Sequence, residues 1–220
     1  MIVTTDRAVR RRTLTREKVI DSALQLVDDR GLDELSMSAC AQQLGVVTAS
    51  LYNHVDNLED LRVAVQVAAM SALGEHLSLV AMGRSGPDGL RALMDAHRQW
   101  STNYPRRYHA LTAASTNPNA LIASAMKLND ALRAVLLSCG LAEEETFDAA
   151  ASLFAALHGF SSLVNSGFIA DDAHRDRVYE SVVRSALVGV IGEASGPVSR
   201  APEQQSAGHK AMSTQNEEMI

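Results

Sequence analysis

The sequence predicts an all-α protein, with an N-terminal three-helix head that contains a helix-turn-helix and a body of about six helices. Hydrophobic residues make up 46% of the 220 residues and charged residues 21%, which is typical of a soluble globular chain. Aromatic residues make up only 4%, there are 5 prolines, and Ala and Leu recur throughout, which favours helices packed through small side chains. Apolar residues also recur at helical spacing along most of the chain.

The first predicted helix is amphipathic. Thr15 is its expected N-cap, and Glu17 lies in the first turn, where an acidic side chain interacts favourably with the helix dipole. Gly31 is the expected stop. The apolar positions between them are Ile20, Ala23, Leu24 and Val27.

Two short helices follow. Ser36 is the expected cap of the first, which ends at Leu44 before Gly45, and the second runs from about Thr48 to Val55. The second has one apolar face, and its other face is small and polar. Two short helices joined by a glycine-containing turn are typical of a helix-turn-helix, here over about residues 36–55.

The predicted body begins with a long helix from Asn57 to about Val80, with Asp60 as its capping acid. Further helices are predicted over about 87–104, 106–115, 120–139, 144–166 and 172–192. From residue 193 on, Gly, Ser, Pro, Gln and Glu dominate, which indicates a disordered tail. The predicted organisation is therefore a basic arm (1–12), a helix-turn-helix domain (13–61), a helical body (62–192) and a tail (193–220).

Positive charge is concentrated near the start of the chain. The whole chain has a net charge of −6, yet the residues up to Lys18 carry six basic and two acidic side chains. The rest carries 14 basic and 24 acidic residues. The protein is therefore not a general polycation, and the run Arg10, Arg11 and Arg12 is either a solvated terminus or a local phosphate-binding arm.

Several other site types find little support in the sequence. Cys40 and Cys139 have no metal-ligand spacing, which favours a reduced, cytoplasmic protein. The first residues show no apolar stretch typical of a secretory signal. The 22 residues from Ala149 to Ala170 carry no formal charge and are long enough to span a bilayer, but they include His158, Asn165 and four serines. We interpret this segment as a buried helix.

The segment from Leu35 to Val55 resembles the DNA-binding signature of the tetracycline-repressor (TetR) family. The resemblance covers about Thr13 to Leu61 and rests on the Leu-Gly-Val turn, the Leu-Tyr-x-His-Val end of the second short helix and the following Asn-x-x-Asp-Leu. A weaker resemblance links the body to one subgroup of the family, through Asn103-Tyr104-Pro105 and Leu157-His158-Gly159. The tryptophan usual before the His-Gly pair is Phe154 here.

The resemblance implies a sequence-specific, dimeric transcriptional regulator, usually a repressor that a small molecule releases from a near-palindromic operator in double-stranded DNA. Thr48, Ala49 and Ser50 are short side chains that let a helix approach base edges, and Asn53 is suited to an adenine edge. Family members often contact phosphate at the positions of Tyr52, His54, Ser36 and Ser38. The predicted DNA-binding residues, with the arm, are Arg10, Arg11, Arg12, Ser36, Ser38, Thr48, Ala49, Ser50, Tyr52, Asn53 and His54.

The start of the long helix departs from the family pattern. Many members have a phosphate-binding Lys where this chain has Leu58, and Glu59 and Asp60 follow. This departure puts one phosphate contact in doubt and leaves open an alternative function, a TetR-like interaction protein with weakened DNA binding.

The expected ligand pocket lies where the long connecting helix meets the later body helices. The candidate lining residues are His97, Trp100, Tyr104, Met126, Phe154 and His158, with Met70 and Met94 as either core or pocket wall. Each histidine is alternatively a satisfied core residue. The set offers apolar area and no basic cluster, so an apolar or amphipathic ligand is expected.

The small residues Ala149–Ala151, Ala155, Ala156 and Gly159 fit either core packing or a close subunit contact. We expect a homodimer through the helices near 147–166 and 172–192. A helical enzyme is a further alternative, but a Gly-rich phosphate loop, a His-Glu-x-x-His motif and a recognisable nucleophile motif are absent from the sequence. No cofactor or metal is expected.

Overall fold

The computed structural model describes residues 14–194, which form α-helices and short 3₁₀ segments and contain no strand. The predicted all-α fold is confirmed for this part of the chain. The α-helices are α1 (Arg16–Arg30), α2 (Met37–Leu44), α3 (Leu58–Ala81), α4 (Gly86–Asn103), α5 (Pro105–Thr112), α6 (Pro118–Ser124), α7 (Met126–Ser138), α8 (Thr146–Asn165) and α9 (Asp172–Ala194). The 3₁₀ segments are Leu32–Glu34, Thr48–Asn53 and Glu143–Glu145.

The helix caps in the head form as the residue types predict. The Thr15 hydroxyl accepts from the Lys18 N–H at 3.3 Å, and the Ser36 hydroxyl accepts from the Ala39 N–H at 3.2 Å. Gly45 ends α2 with φ of 68°, a left-handed conformation that glycine adopts without strain. The two hydroxyl caps satisfy backbone donors that a helix leaves free in its first turn, and the Gly45 N–H donates to the carbonyls of Ala41 and Gln42 in the last turn of α2.

The predicted helix from Thr48 to Val55 is a 3₁₀ segment over Thr48–Asn53 instead. We call Thr48–Asn53 the recognition segment. Its Ser50 N–H donates to the Val47 carbonyl at 2.9 Å, one bond of the i to i+3 type. A segment of six residues gains little from an α-helical ladder, and its Leu51 is fully buried.

The helix predicted over 120–139 is two helices, α6 and α7, separated at Ala125. Asn117 caps α6 through the Ala120 N–H at 3.1 Å, and Pro118 starts it. The break lets α7 lie against α3, where a Cβ added at Gly74 would be only 3.3 Å from the backbone nitrogen of Leu128. Gly74 therefore permits a close approach of the two helix backbones.

The other differences lie at helix ends. α5 ends at Thr112, three residues before the prediction, and α8 begins at Thr146 after a 3₁₀ turn. α9 continues to Ala194, so residues 193 and 194, which were assigned to the tail, are helical. The Arg10–Arg12 arm and the tail from residue 195 on lie outside the described residues.

α3 is the central helix, with contacts to α1, α4, α5, α6 and α7. Its first half packs against the head through the buried Leu61 and Val65, and its second half packs against the body through Leu73 and Leu77. The head and body cores are therefore continuous along one helix.

Two helical stretches are long and apolar enough to span a membrane by composition alone, Leu58–Ala81 and Glu143–Asn165. The first is α3, which other helices surround. The second contains α8, which buries one face in the core through Leu153, Leu157 and Phe160. The small residues Ala155, Ala156 and Gly159 are exposed in the single subunit.

Candidate DNA-binding surface and ligand cavity

The recognition segment divides its side chains between the core and solvent. Leu51 and the following Val55 are buried and anchor the segment on α1 and α2. Ala49 and Asn53 are exposed, and Tyr52 has 54% of its surface exposed. Thr48, Ser50 and His54 are half-buried, so the predicted base-reading and phosphate-binding positions lie on the outer side of the segment or at its margins.

Val47 is exposed at 70%, immediately before the recognition segment, and the sequence interpretation did not select it. An apolar side chain so exposed at this position is suited to contact with a thymine methyl group. Ser38 is exposed, and its hydroxyl lies 3.3 Å from that of Ser36, which is half-buried and already caps α2. Ser38 is therefore the more accessible of the two serines.

Arg16 fixes the position of the recognition segment. Its guanidinium donates to the His54 carbonyl at 2.5 Å and to both carboxylate oxygens of Asp60 at 2.9 and 3.1 Å. The hydrogen bonds from Arg16 hold the pKa of Asp60 below its usual range. α1, the end of the recognition segment and the start of α3 are thus joined by one side chain.

Both acidic residues at the start of α3 have partners within the protein. Asp60 binds Arg16 and also accepts from the Asp56 N–H at 3.0 Å. Glu59 accepts from the Thr116 hydroxyl at 2.7 Å, and Leu58 is half-buried against the core. These contacts brace the first turn of α3 within the protein, and nothing in them accounts for Leu58 at the position where many members have Lys.

A cavity of about 250 Å³ lies in the body between α3, α4, α7 and α8. Its walls are almost wholly apolar, and none of the lining residues whose side chains the structure describes is charged. The lining residues are Met70, Leu77, Leu90, Leu93, Met94, His97, Ala125, Leu128, Asn129, Ala131, Leu132, Phe147, Ala150, Ala151, Leu153, Phe154 and Leu157.

His97 is the buried polar group in the cavity wall, with only 2% of its surface exposed. Burial, and the nearby His158, lower the pKa of His97 to about 4, so its ring is neutral near pH 7. Its Nε2 is 3.5 Å from the Tyr108 hydroxyl, whereas its Nδ1 has no hydrogen-bond partner among the described residues.

Five of the six predicted ligand-binding residues belong to one aromatic cluster, together with Tyr108, which the sequence interpretation missed. The cluster consists of His97, Trp100, Tyr104, Tyr108, Phe154 and His158. The Tyr108 hydroxyl is 3.2 Å from His158 Nδ1, and burial raises the pKa of Tyr108 to about 12. Tyr108 is therefore the polar centre of the cluster.

Of the six, His97 and Phe154 line the cavity and the other four do not, so the assignment of all six to ligand binding stays a prediction. Trp100 and Tyr104 lie on the side of the cluster toward α5, and their ring centroids are 5.5 Å apart. His158 stacks on Phe154, at 6.0 Å between ring centroids, and reaches Tyr108. Met126, the first residue of α7, is 60% exposed and does not line the cavity. Met70 and Met94 do line the cavity.

α5 joins the cavity region to the head. Arg106 donates to the carbonyls of Asp28 and Asp29 at the end of α1, at 2.9 and 2.6 Å, and Arg107 forms an ion pair with the Asp28 carboxylate. The buried Gln66 of α3 donates to the carbonyls of Ala110 and Ala113, each at 3.2 Å. α5 and the residue after it therefore have direct polar contacts with α1, which belongs to the head, and with α3, which connects the head to the body.

An exposed helix-turn-helix face on a head that is joined by polar contacts to a helical body defines the class of helix-turn-helix DNA-binding regulators. The family described as "Tetracyclin repressor-like, C-terminal domain" matches residues 90–186. An HTH-type transcriptional regulator of Mycobacterium tuberculosis is 36% identical over 180 residues, which cover 80% of this chain and 82% of that relative. The chain belongs to the TetR family and is a DNA-binding transcriptional regulator.

Other similarities agree with this assignment. The tetracycline repressor protein class D of Escherichia coli is 40% identical over 78 residues, which cover 36% of this chain and 35% of that protein. The crystal structure of a TetR variant from Acinetobacter baumannii AYE, in complex with minocycline, superposes with a TM-score of 0.66 at 20% identity. That alignment covers 84% of this chain and all of the solved chain, and it supports the fold.

Proposed function

We propose that this protein is a cytoplasmic, homodimeric repressor that releases a near-palindromic operator when a small apolar or amphipathic molecule occupies the body cavity. The observation that carries the proposal is that one helix, α3, serves both sites. Its N-terminal turn is fixed to the recognition segment through Asp60 and Arg16, and its later residues Met70 and Leu77 line the cavity.

In this proposal, a ligand bound in the cavity changes the position of the head through the helices that line the cavity. A ligand changes DNA affinity only if it binds one arrangement of the two heads better than another. Filling the space between α3, α4, α7 and α8 favours the arrangement of α3 that leaves that space open. Since α3 and α5 both contact the head, a change in their position alters the spacing of the two recognition segments of a dimer.

The proposed dimer uses α8 and α9. A groove between these helices is lined by small and apolar side chains, among them Ala156, Val182 and Gly189. Leu163 and Val188 are exposed on the same two helices, at 41% and 66%. Apolar area of this kind is costly to leave in water, and a symmetric pairing of the helices buries it.

DNA recognition is assigned to the outer side of the head. Asn53, Ala49, Thr48 and Val47 read base edges, while Tyr52, His54, Ser36, Ser38 and Ser50 contact phosphate or fix the register. Arg10, Arg11 and Arg12 lie outside the described residues, and the proposal gives them sequence-independent phosphate contacts.

A gel-shift titration on the DNA upstream of the protein's own gene tests the function. We expect a dimer to shift this DNA at salt concentrations at which an unrelated duplex of equal length remains free, and we expect apolar small molecules that bind the cavity to release it. Equal affinity for the two duplexes would favour the alternative function, an interaction protein with weakened DNA binding. The bracing of Glu59 and Asp60 within the protein argues against that alternative.

A further inference from the structure

The cavity is closed on the side of α3 and α4 and exposed on the side of α7 and α8. The lining residues of α3 and α4 are all buried, namely Met70, Leu77, Leu90, Leu93, Met94 and His97. In contrast, Asn129 of α7 and Ala151 of α8 are exposed, and Phe147 of α8 has 75% of its surface exposed. Because every exposed lining residue that the structure describes belongs to α7 or α8, the cavity opens to solvent between these two helices.

An ion pair marks the position of this opening along the two helices. Arg133 of α7 donates to both carboxylate oxygens of Glu143 at 2.5 and 2.7 Å. Arg133 is about one turn after Asn129, and Glu143 is four residues before Phe147. The ion pair therefore joins α7 to the segment before α8 near their connection, and the opening begins about one turn farther from that connection.

The opening is separate from the groove between α8 and α9 that is proposed for the subunit contact. Ala149, Ser152 and Ala156 are α8 residues that line that groove. Phe147 and Ala151 are not among its described lining residues. The opening and the groove therefore lie on different parts of the α8 surface.

The buried part of the cavity offers no partner to a polar group of a ligand. Its polar side chain is His97, whose Nδ1 has essentially no accessible surface and whose Nε2 is 3.5 Å from the Tyr108 hydroxyl. The other described polar residue of the lining is Asn129, at the opening. A polar group that enters such a wall loses its water without a replacement, whereas an alkyl chain is stabilised by the same burial. The cavity therefore suits the apolar end of a molecule, and the opening suits its polar end.

On the basis of the proposed function, we infer that the ligand is a single-chain amphiphile, whose alkyl chain fills the cavity through the opening between α7 and α8 and whose polar group stays in water beside Asn129. The cavity volume of about 250 Å³ lies below the usual range for drug-sized ligands, about 300–1,000 Å³, which favours a narrow chain over a larger ring system. The exposed ring of Phe147 offers apolar surface to the part of the chain that crosses the opening. Since the protein recognises the chain, amphiphiles with different polar groups bind.

The first test compares octyl glucoside, octanoate, octyltrimethylammonium and octanedioate by calorimetric titration of the full-length protein at pH 7.5, each below its critical micelle concentration. We expect the three probes with one polar end to bind. Octanedioate has a carboxylate at each end of a chain of the same length. It is expected to bind at least roughly ten-fold more weakly than octanoate, because one carboxylate would have to enter the apolar wall.

The second test places a charge at the opening. The measured quantity is the selectivity, the Kd of octyltrimethylammonium divided by the Kd of octanoate, in about 0.1 M salt. We expect the selectivity of Asn129→Lys to be roughly ten-fold higher than that of Asn129→Asp, because a charge beside the polar group attracts one probe and repels the other. The Kd of octyl glucoside is expected to be the same in both variants.

The matched controls are Asn119→Lys and Asn119→Asp, the same substitutions at an exposed asparagine of α6 that does not line the cavity, and their selectivities are expected to be equal. Circular dichroism melting shows whether each variant is folded, and the octanedioate comparison uses the wild-type protein alone. Equal selectivities in folded Asn129→Lys and Asn129→Asp, or octanedioate binding as tightly as octanoate, would overturn the inference. So would the absence of binding by any octyl probe. The proposed function is decided separately by the gel shift, since release of the DNA by a compact apolar molecule would sustain it without an amphiphile.

Discussion

Acidification should destabilise this protein through His97 well before its carboxylates are protonated. The pKa of His97 falls from an ordinary value of 6.5 to about 4 in the folded chain, because burial disfavours the charged ring. Above pH 6.5 both the folded and the unfolded states hold His97 neutral, so it adds no pH dependence there. Below pH 6.5 the unfolded state takes up a proton that the folded state does not, and stability falls until about pH 4.

The size of the effect follows from the pKa difference. Each pH unit in this window costs about 1.4 kcal/mol, so the loss between pH 6.5 and pH 5.0 is about 2 kcal/mol per subunit. Carboxylates of lowered pKa, such as Asp60, contribute mainly below their ordinary value of 3.8 and add little in this range. A loss of this size is measurable against a typical total stability of about 5–15 kcal/mol.

Urea unfolding at pH 7.5 and pH 5.0, at one protein concentration, measures the effect. His97→Gln is the comparison variant because it cannot titrate in this range. We expect the wild-type protein to lose about 2 kcal/mol more than His97→Gln between the two pH values. Equal losses in the two proteins would refute the assignment of a buried, neutral His97, whatever the absolute stability of the variant.

Three further predictions concern the head and the subunit contact. Arg16→Ala should lower the free energy of unfolding by about 1 kcal/mol, because it removes a part-exposed ion pair and the hydrogen bond to the His54 carbonyl. An unchanged melting curve would contradict the bracing role of Arg16. Asn53→Ala should weaken DNA binding by about 1–3 kcal/mol for operators with particular base pairs. Replacing Arg10–Arg12 with Ala should instead weaken binding to all DNA sequences alike and reduce its salt dependence. If both variants lost affinity for the same base pairs, this division of roles would be refuted. Gly159→Glu should dissociate the dimer, as measured by light scattering. The single subunit should stay folded, because no atom of it lies within 4 Å of a Cβ added at Gly159. An intact dimer would place the interface elsewhere.

The sequence was sufficient to predict the elements whose signals are local. The caps at Thr15, Ser36 and Asn57 and the stop at Gly45 each depend on a few adjacent atoms, and the structure has all four. The 3₁₀ form of the recognition segment was missed because one apolar face fits either helix type. Short 3₁₀ and α segments differ by one residue in hydrogen-bond spacing, and a single buried side chain such as Leu51 does not distinguish them in the sequence.

The cavity was harder to predict because it depends on which helices become neighbours. Residues three or four apart share a helix face, which grouped His97 with Trp100, but the crossing of α4, α5 and α8 places His97 at the cavity and Trp100 against Tyr108. Tyr108 gave no signal in the sequence, since its partners are 11 and 50 residues away. An unbroken helix was predicted across Ala125, and Met126, beside the break, does not line the cavity.

The polar joint between α1 and α5 has a practical consequence for building chimeric regulators. A head transplanted from a relative without an acidic residue at the position of Asp28 would leave the Arg107 guanidinium without its partner. A differently placed end of α1 would leave Arg106 without the two carbonyls that it binds here. A graft that carries α5 along with the head would keep this set of contacts together. Gln66 would have to be transferred as well, since its buried amide donates to the carbonyls of Ala110 and Ala113 and a buried amide left without partners is destabilising.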